Sequence, residues 1–306
     1  MRAFALCLGL LLSSCSSELS EPPGETAVAG RPTVYTVNYP LAWLAQQLAA
    51  DSVDIEFPAP GNEDPAFWKP SPEVIARYQQ ADLVLLNGAS YARWLSRATL
   101  PASRLLDTSQ KFSDQLISVD SGPAHSHGPQ GEHSHGEQAF TVWLDPTLFA
   151  QQAQVVAQSL TALLPAEREA INTRLRVVED TLANWDVQLD AASKALAGRP
   201  VLYSHPVYQY LQRRYSLNGI ALHWEPDQAP APQDWLELER LLQQHPATIM
   251  LWEAPPLTET QETLQRMGIT TVVYAPQGAS PGSGDFAGIM AGNIDRLSKA
   301  AGVLSE

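Results

Sequence analysis

Cysteine is almost absent from this chain of 306 residues, because its only two copies, Cys7 and Cys15, lie near the N-terminus. The apolar run from Ala3 to Leu12 is too short to span a bilayer and is typical of a signal-peptide core. The small residues that precede Cys15 resemble a bacterial lipobox, so we expect residues 1–14 to be a signal peptide, Cys15 to carry a lipid, and residues 15–30 to form a tether. The alternative is an ordinary secretory signal. With Cys15 lipidated, the folded body contains no cysteine, which excludes a disulfide scaffold and a thiolate metal site.

Basic residues are also scarce, since 19 Lys and Arg stand against 33 Asp and Glu and the formal net charge is −14. A nucleic-acid partner requires clustered Lys and Arg to neutralise phosphates, and this composition excludes one. The sequence also lacks the G-x-S-x-G, G-x-x-x-x-G-K and H-E-x-x-H motifs, so we expect no catalytic residues and no enzyme activity.

Strand-like and helix-like segments alternate along the rest of the chain. Short apolar runs such as ADLVLLNG and ATIMLWEAP predict buried parallel strands, and amphipathic segments between them predict helices, including one over SYARWLSRAT. The fold class we predict is α/β, with two lobes that each contain a mostly parallel sheet flanked by helices, joined by one long backbone helix of roughly 45 Å. The predicted divisions are an N-terminal lobe over 31–164, the linking helix over 165–198 and a C-terminal lobe over 199–306.

Five stretches between residues 38 and 297 resemble the metal-specific solute-binding lipoproteins of bacterial ABC transporters, the ZnuA-like zinc and manganese binders. They are NYPLAWLAQQLA, PSPEVIARYQQADLVLLNGASYARWL, VWLDPTLFAQQAQVVAQSL, SHPVYQYLQRRYSLNG and GDFAGIMAGNIDRL. The resemblance implies the fold of a class III periplasmic binding protein and a monomer on the outer side of a bacterial membrane, held there by its lipid. It also implies that Zn²⁺, or Mn²⁺ or another divalent cation, binds between the lobes and passes to a membrane permease.

The ligand positions of that family are only partly retained. His205 stands where the family has a His or Glu ligand, but Ala66 and Thr141 stand where two further histidines are expected. Ala275 is the nearest match for the last ligand, a carboxylate. Three of the four implied ligands are therefore replaced by residues that cannot bind zinc.

Three interpretations remain open. In the first, a relocated set of side chains at the strand ends holds the cation, because the carboxyl ends of parallel strands face the cleft. The members of this set are His205, His223, Glu225 and Glu253, with Glu63 or Asp64 from the first lobe. In the second, aromatic side chains stack on an organic cation or a metal chelate, or simply pack; they are Phe67, Trp68, Trp143, Trp224 and Trp252. In the third, the protein is a structural or adhesive lipoprotein that binds no cation.

Four of the seven histidines, His125, His127, His133 and His135, lie in the polar loop 122–138. Paired histidines in a glycine-containing segment can collect zinc weakly but offer no fixed geometry. A loop of this kind precedes the WLDP motif in many zinc-binding members of the family. We therefore predict an accessory role in gathering metal, with a direct contribution to the cleft as the alternative.

Overall fold

The computed structural model describes residues 30–119 and 138–302, together with the backbone of residues 125–126 and 132–133. The predicted signal peptide, Cys15 and nearly all of the tether lie outside the described residues, as do His127 and His135. In the part of the chain that is described, no helix combines the length and the apolar character that crossing a membrane would require.

The first sheet contains four parallel strands in the order β2-β1-β3-β4. Its strands and helices are β1 (Thr33–Thr36), α1 (Tyr39–Ala49), β2 (Asp54–Glu56), α2 (Pro72–Gln80), β3 (Leu83–Leu86) and β4 (Leu105–Asp107). The helix starts follow from the sequence: Asn38 Oδ1 accepts a hydrogen bond of 3.0 Å from the Leu41 amide, and Ser71 caps α2 directly before Pro72.

The helix predicted over SYARWLSRAT is wrong, since the structure has only a 3₁₀ turn over Arg93–Arg97 there. Ala89 and Ser90 have φ angles of 49° and 56°, and this left-handed backbone cannot open an α-helix. Pro101 follows closely and disfavours helical geometry in the residue before it.

The middle of the chain contains the longest helices. A short antiparallel pair, β5 (His125–Ser126) and β6 (Glu132–His133), precedes α3 (Pro146–Leu163) and α4 (Arg168–Leu196). Helix α4 is 29 residues long and ends within two residues of the predicted boundary, where Ala197 adopts a left-handed conformation with φ 50°.

The second sheet also contains four parallel strands, in the order β10-β9-β7-β8. Its elements are β7 (Val201–Tyr203), α5 (Gln209–Tyr215), β8 (Gly219–Ala221), α6 (Pro232–Gln244), β9 (Ile249–Trp252), α7 (Thr258–Arg266), β10 (Thr270–Val273) and α8 (Phe286–Ala301). Asp285 caps α8 through a hydrogen bond of 2.8 Å from the Gly288 amide.

Long-range packing joins α4 to α1 and to α8. Trp185 of α4 stacks on Trp43 of α1 at a centroid distance of 6.1 Å and meets the ring of Phe286 in α8 at 6.2 Å. Two parallel sheets flanked by helices, with one long helix between them in sequence, confirm the predicted fold class. The first sheet with α1 to α3 and the segment that leads into α3 is called the first lobe below, and the second sheet with α5 to α7 is called the second lobe. The residue boundaries of the domains stay a prediction.

Candidate metal-binding site

Three of the predicted ligands meet at the carboxyl edge of the second sheet. His205 lies two residues beyond β7 and is only 2% exposed, and its Nδ1 is 3.7 Å from Glu225 Oε1. The ring of His223, which lies two residues beyond β8, is 5.7 Å from the His205 ring at an interplanar angle of 89°. Because β7 and β8 are adjacent parallel strands, residues that follow them leave the sheet on the same side. We call His205, His223 and Glu225 the His205 cluster.

In the segment 219–225, only Gly219–Ala221 belongs to β8. The Trp224 amide still donates to the Ser204 carbonyl at 2.8 Å, and its side chain is buried. His223 is exposed and Glu225 is half-buried on either side of it. This alternation directs Trp224 into the core and leaves the histidine and the carboxylate near the edge.

Glu253 directly follows β9, the other neighbour of β7, and is half-buried. Burial raises the pKa of Tyr208 well above its ordinary value, and the charge of Glu253 raises it further. Tyr208 is fully buried and donates a hydrogen bond of 2.8 Å to the Tyr274 carbonyl. Glu253 therefore lies close enough to influence the segment that follows His205.

Glu63 and Asp64 belong to the loop that precedes α2 in the first lobe. Asp64 Oδ1 accepts a hydrogen bond of 2.9 Å from the Ala66 amide, and its charge acts on Tyr91 and Arg93. Glu63 lines a cavity in the first lobe. The local structure thus gives Asp64 a role in shaping its own loop.

Within residues 30–119 and 138–302, no group of three or more His, Cys, Asp or Glu side chains already forms a set that could hold a metal ion. Zinc is bound by nitrogen and oxygen atoms at about 2.0–2.2 Å in tetrahedral geometry. A cation bound by the His205 cluster would therefore require side-chain rotation on binding.

The three positions where the resemblance implies further ligands have structural roles here. Ala66 is fully buried, and its carbonyl accepts a hydrogen bond of 3.3 Å from the Arg93 amide. The Thr141 hydroxyl donates to the Val207 carbonyl in the second lobe. Ala275 exchanges two hydrogen bonds with the side chain of Asn293, of 3.1 and 2.7 Å.

Further hydrogen bonds join the segments on either side of α4. Trp143 Nε1 donates to the Pro276 carbonyl at 2.7 Å, and the Tyr210 hydroxyl donates to the Ala139 carbonyl at 2.9 Å. Sequence reasoning missed Tyr210, because no local pattern marks a hydroxyl whose partner is 71 residues away.

The predicted cleft aromatics fall into two groups. Trp143, Trp224 and Trp252 are at most 6% exposed, and Trp224 packs against Trp235 and Trp252 at centroid distances of 4.8 and 6.3 Å. Phe67 and Trp68 instead line the first-lobe cavity, which has a volume of about 1150 Å³. None of the three rings of the first group lines that cavity, and their contacts with other buried aromatic rings favour packing over ligand stacking.

The backbone of the histidine-rich loop is described only at β5 and β6, where His125 and His133 are paired directly across the strands. Their side chains, and the other two histidines of the loop, lie outside the described residues.

Curated relatives resemble this chain over most of its length. It is 22% identical over 278 residues to the zinc-binding lipoprotein AdcA of Streptococcus pneumoniae strain R6, a match that covers 87% of this chain and 54% of that protein. The chain thus spans about half the length of this relative. It is 23% identical over 308 residues to the high-affinity zinc uptake system protein ZnuA of Bacillus subtilis, covering 94% of this chain and 93% of that one.

Solved structures show the same fold. The metal-dependent lipoprotein YcdH from Bacillus subtilis superposes with a TM-score of 0.74 at 20% identity, covering 88% of this chain and 98% of that one. The Zn(II)-bound ZnuA-like domain of Streptococcus pneumoniae AdcA gives 0.73 at 18% identity, with the same coverages. The family model for the periplasmic zinc-uptake complex component A, ZnuA, matches residues 34–300. The chain therefore belongs to the ZnuA family.

Proposed function

We propose that this chain is the extracytoplasmic substrate-binding lipoprotein of an ABC importer, and that its substrate is a divalent cation, zinc in the first place. Membership of the zinc-uptake family over residues 34–300 supports this role. So do the names of its relatives, which include zinc-binding lipoproteins and a metal ABC transporter substrate-binding lipoprotein. In this role the protein carries its lipid on Cys15 and delivers the ion to a membrane permease.

The observation that carries the proposal is the His205 cluster. A histidine that is 2% exposed lies beside a second imidazole and a carboxylate, and two histidines with a carboxylate are the donor types that zinc and similar divalent ions prefer. Glu253, which directly follows the adjacent strand β9, supplies the fourth donor. The cation binds when the exposed ring of His223 and the half-buried carboxylate of Glu225 rotate towards His205.

The proposal explains how a member of the family binds metal although Ala66, Thr141 and Ala275 replace the usual ligands. The donors come from one lobe, at the ends of β7, β8 and β9. Hydrogen bonds such as that from Thr141 to Val207 already join the lobes without a shared metal. Loading then requires side-chain rotation rather than closure of the lobes around the ion.

Calorimetry on metal-free protein tests the proposal. Residues 16–306 are titrated with Zn²⁺ and Mn²⁺, alongside a form that lacks 122–138 and carries no histidine-rich loop. We expect a submillimolar zinc site to persist after loop deletion and to be lost in His205→Ala. His245→Gln is the matched control, because His245 Nε2 is 3.0 Å from the carbonyl of Val201, at the opposite, amino end of β7.

Each result bears on a different part of the proposal. A loop-deleted form without a submillimolar site would exclude the second-lobe cluster as the binding site. Unchanged binding in His205→Ala would remove His205 from the ligand set. Loss of binding in His245→Gln with an intact fold, measured by circular dichroism, would mean that the loss in His205→Ala is not specific to the cluster.

A further inference from the structure

A large cavity lies at the carboxyl edge of the first sheet, apart from the His205 cluster. Its volume is about 1150 Å³, and it is lined by Val37 beyond β1, by Leu86 and Gly88 around the end of β3, and by Asp107 at the end of β4. Open α/β sheets bind ligands at this edge. Pockets for small organic molecules have volumes of about 300–1,000 Å³, so the cavity is large enough for such a molecule and far larger than a bare cation needs.

Aromatic side chains form much of the cavity wall. Phe67 and Trp68 come from the loop before α2, and Tyr91 and Trp94 come from the segment that follows β3. Flat rings of this kind bind other rings by offset or edge-to-face packing. The wall therefore favours a ligand with an aromatic or heterocyclic ring.

The charge of the lining departs from that of the chain. Acidic residues outnumber basic ones by 33 to 19 in the sequence, yet the cavity is lined by Lys69, Arg93 and Arg97 against Glu63 and Asp107. Asp107 is already engaged, since its Oδ1 accepts hydrogen bonds of 2.9 and 2.8 Å from the amide and hydroxyl of Ser109. Basic residues therefore outnumber acidic residues in the cavity lining, although the chain as a whole is acidic.

Among these basic residues, Arg93 gives the strongest support for an anion in the cavity. Its guanidinium carbon lies 4.5 Å from the centroid of the Phe67 ring, and its Nη2 atom is buried with no hydrogen-bond partner among the described residues. Burial lowers the pKa of Arg93, against the charge of Asp64. The residue as a whole is half-buried, and an anion in the cavity could accept a hydrogen bond from the buried Nη2 atom.

The backbone beside the cavity is strained. Gly88, Ala89 and Ser90 have φ angles of 73°, 49° and 56°, and Gly88 and Ser90 both line the cavity. Two consecutive non-glycine residues in the left-handed region cost free energy, and such strain concentrates at ligand sites.

We infer that the first-lobe cavity binds an organic carboxylate that carries an aromatic or heterocyclic ring. The ring lies among Phe67, Trp68 and Trp94, and the carboxylate pairs with Arg93, with Lys69 and Arg97 exposed at the entrance. This site goes beyond the proposed transport of zinc and does not depend on it, because it shares no residue with the His205 cluster.

A ring-bearing carboxylate that binds zinc poorly provides the test. The purified protein, kept metal-free with EDTA, is titrated with 2-naphthoate and, separately, with the uncharged 2-naphthamide. Calorimetry measures binding, and quenching of tryptophan emission reports contact with Trp68 and Trp94. We expect submillimolar binding of 2-naphthoate and at least about tenfold weaker binding of the amide, because hydrogen bonds to charged groups are the strong ones.

Substitutions of the basic lining residues test which of them bind the carboxylate of 2-naphthoate. We expect Lys69→Gln with Arg97→Gln, two exposed positions, to weaken 2-naphthoate about tenfold, and Arg93→Gln to weaken it further if it folds. Arg240→Gln, an exposed arginine on α6, is the matched control and should not change binding. The inference is overturned if 2-naphthoate does not bind at millimolar concentration, if the amide binds equally, or if the double variant binds like Arg240→Gln. Zinc titration of the double variant separates the two sites, since its zinc affinity should be unchanged whenever the protein binds zinc at all.

Discussion

The hydroxyl of Thr141 joins the two lobes, because it donates a hydrogen bond to the Val207 carbonyl. Thr141 is 4% exposed, so water cannot replace this bond if it is lost. In the resembled family pattern a histidine ligand occupies this position. Where the resemblance implies a metal ligand, this chain has a direct contact between the lobes.

We expect Thr141→Val to lower the free energy of unfolding by about 1–3 kcal/mol, the usual cost of leaving a buried carbonyl without its donor. Thr173→Val is the matched control, since the hydroxyl of this exposed residue bonds the Glu169 carbonyl within α4 and water can replace it. Urea denaturation measures both. Equal losses in the two variants would contradict the role assigned to Thr141.

Two effects disfavour a side chain at Gly88, namely the left-handed backbone and the lack of space for a Cβ atom. The φ of Gly88 is +73°, and a Cβ atom added there would lie 1.8 Å from Ser109 Oγ; Gly198 has the same φ with nothing within 4 Å. We expect Gly198→Ala to cost about 1 kcal/mol for the backbone alone. Gly88→Ala should cost about 1–3 kcal/mol more, because it also overpacks the turn. Similar denaturation midpoints for the two variants would contradict this, since they would mean that the turn after β3 accommodates the added Cβ atom without further loss of stability.

At the scale of secondary structure, hydrogen bonds to the carboxylate of Asp186 connect α4 to α5. Its Oδ1 accepts hydrogen bonds from Arg214 Nε at 3.0 Å and the Tyr215 hydroxyl at 2.8 Å, and its Oδ2 accepts one from Arg214 Nη2 at 2.7 Å. Burial alone would raise the pKa of Asp186, but these bonds and the guanidinium charge lower it below its ordinary value. The long helix thereby has a polar attachment to the second lobe.

A lowered pKa in the folded state means that the ionised Asp186 stabilises the protein above about pH 4, its ordinary value, and that this contribution is lost as pH falls through the lowered pKa. We expect Asp186→Asn to lower the free energy of unfolding by about 1–2 kcal/mol at pH 7, and the difference from the unmodified protein to shrink towards pH 3. Asp190→Asn, which removes an exposed pair with Lys194, should cost less than about 0.5 kcal/mol. A difference for Asp186→Asn that does not change with pH would contradict this assignment.

Sequence patterns predicted the elements whose signals are local. The apolar runs ADLVLLNG and ATIMLWEAP contain the strands β3 and β9, as predicted. The left-handed backbone at Ala89 and Ser90 has no comparable signal, so a turn was mistaken for a helix. His205, His223 and Glu225 could be grouped in advance only because adjacent parallel strands end at the same edge.

At the scale of the whole molecule, contacts between residues far apart in the sequence could not be predicted from local patterns. The bond from Thr141 to Val207 spans 66 residues and that from Trp143 to Pro276 spans 133, and each depends on how the two lobes meet. The first-lobe cavity arises in the same way, from a loop, a turn and three strand ends. The sequence predicted, through a family resemblance, that Ala66, Thr141 and Ala275 replace ligands, and the structure adds the hydrogen bonds that these residues make.

The most direct test of the central claim, that the second-lobe cluster holds the cation, is to locate zinc by anomalous X-ray diffraction. Crystals of the form that lacks 122–138 are grown with Zn²⁺, and data are collected on both sides of the zinc absorption edge. The account predicts an anomalous peak about 2.0–2.1 Å from a ring nitrogen of His205, with His223, Glu225 or Glu253 completing the coordination. A zinc peak elsewhere with none at His205, or no zinc peak at all, would contradict it.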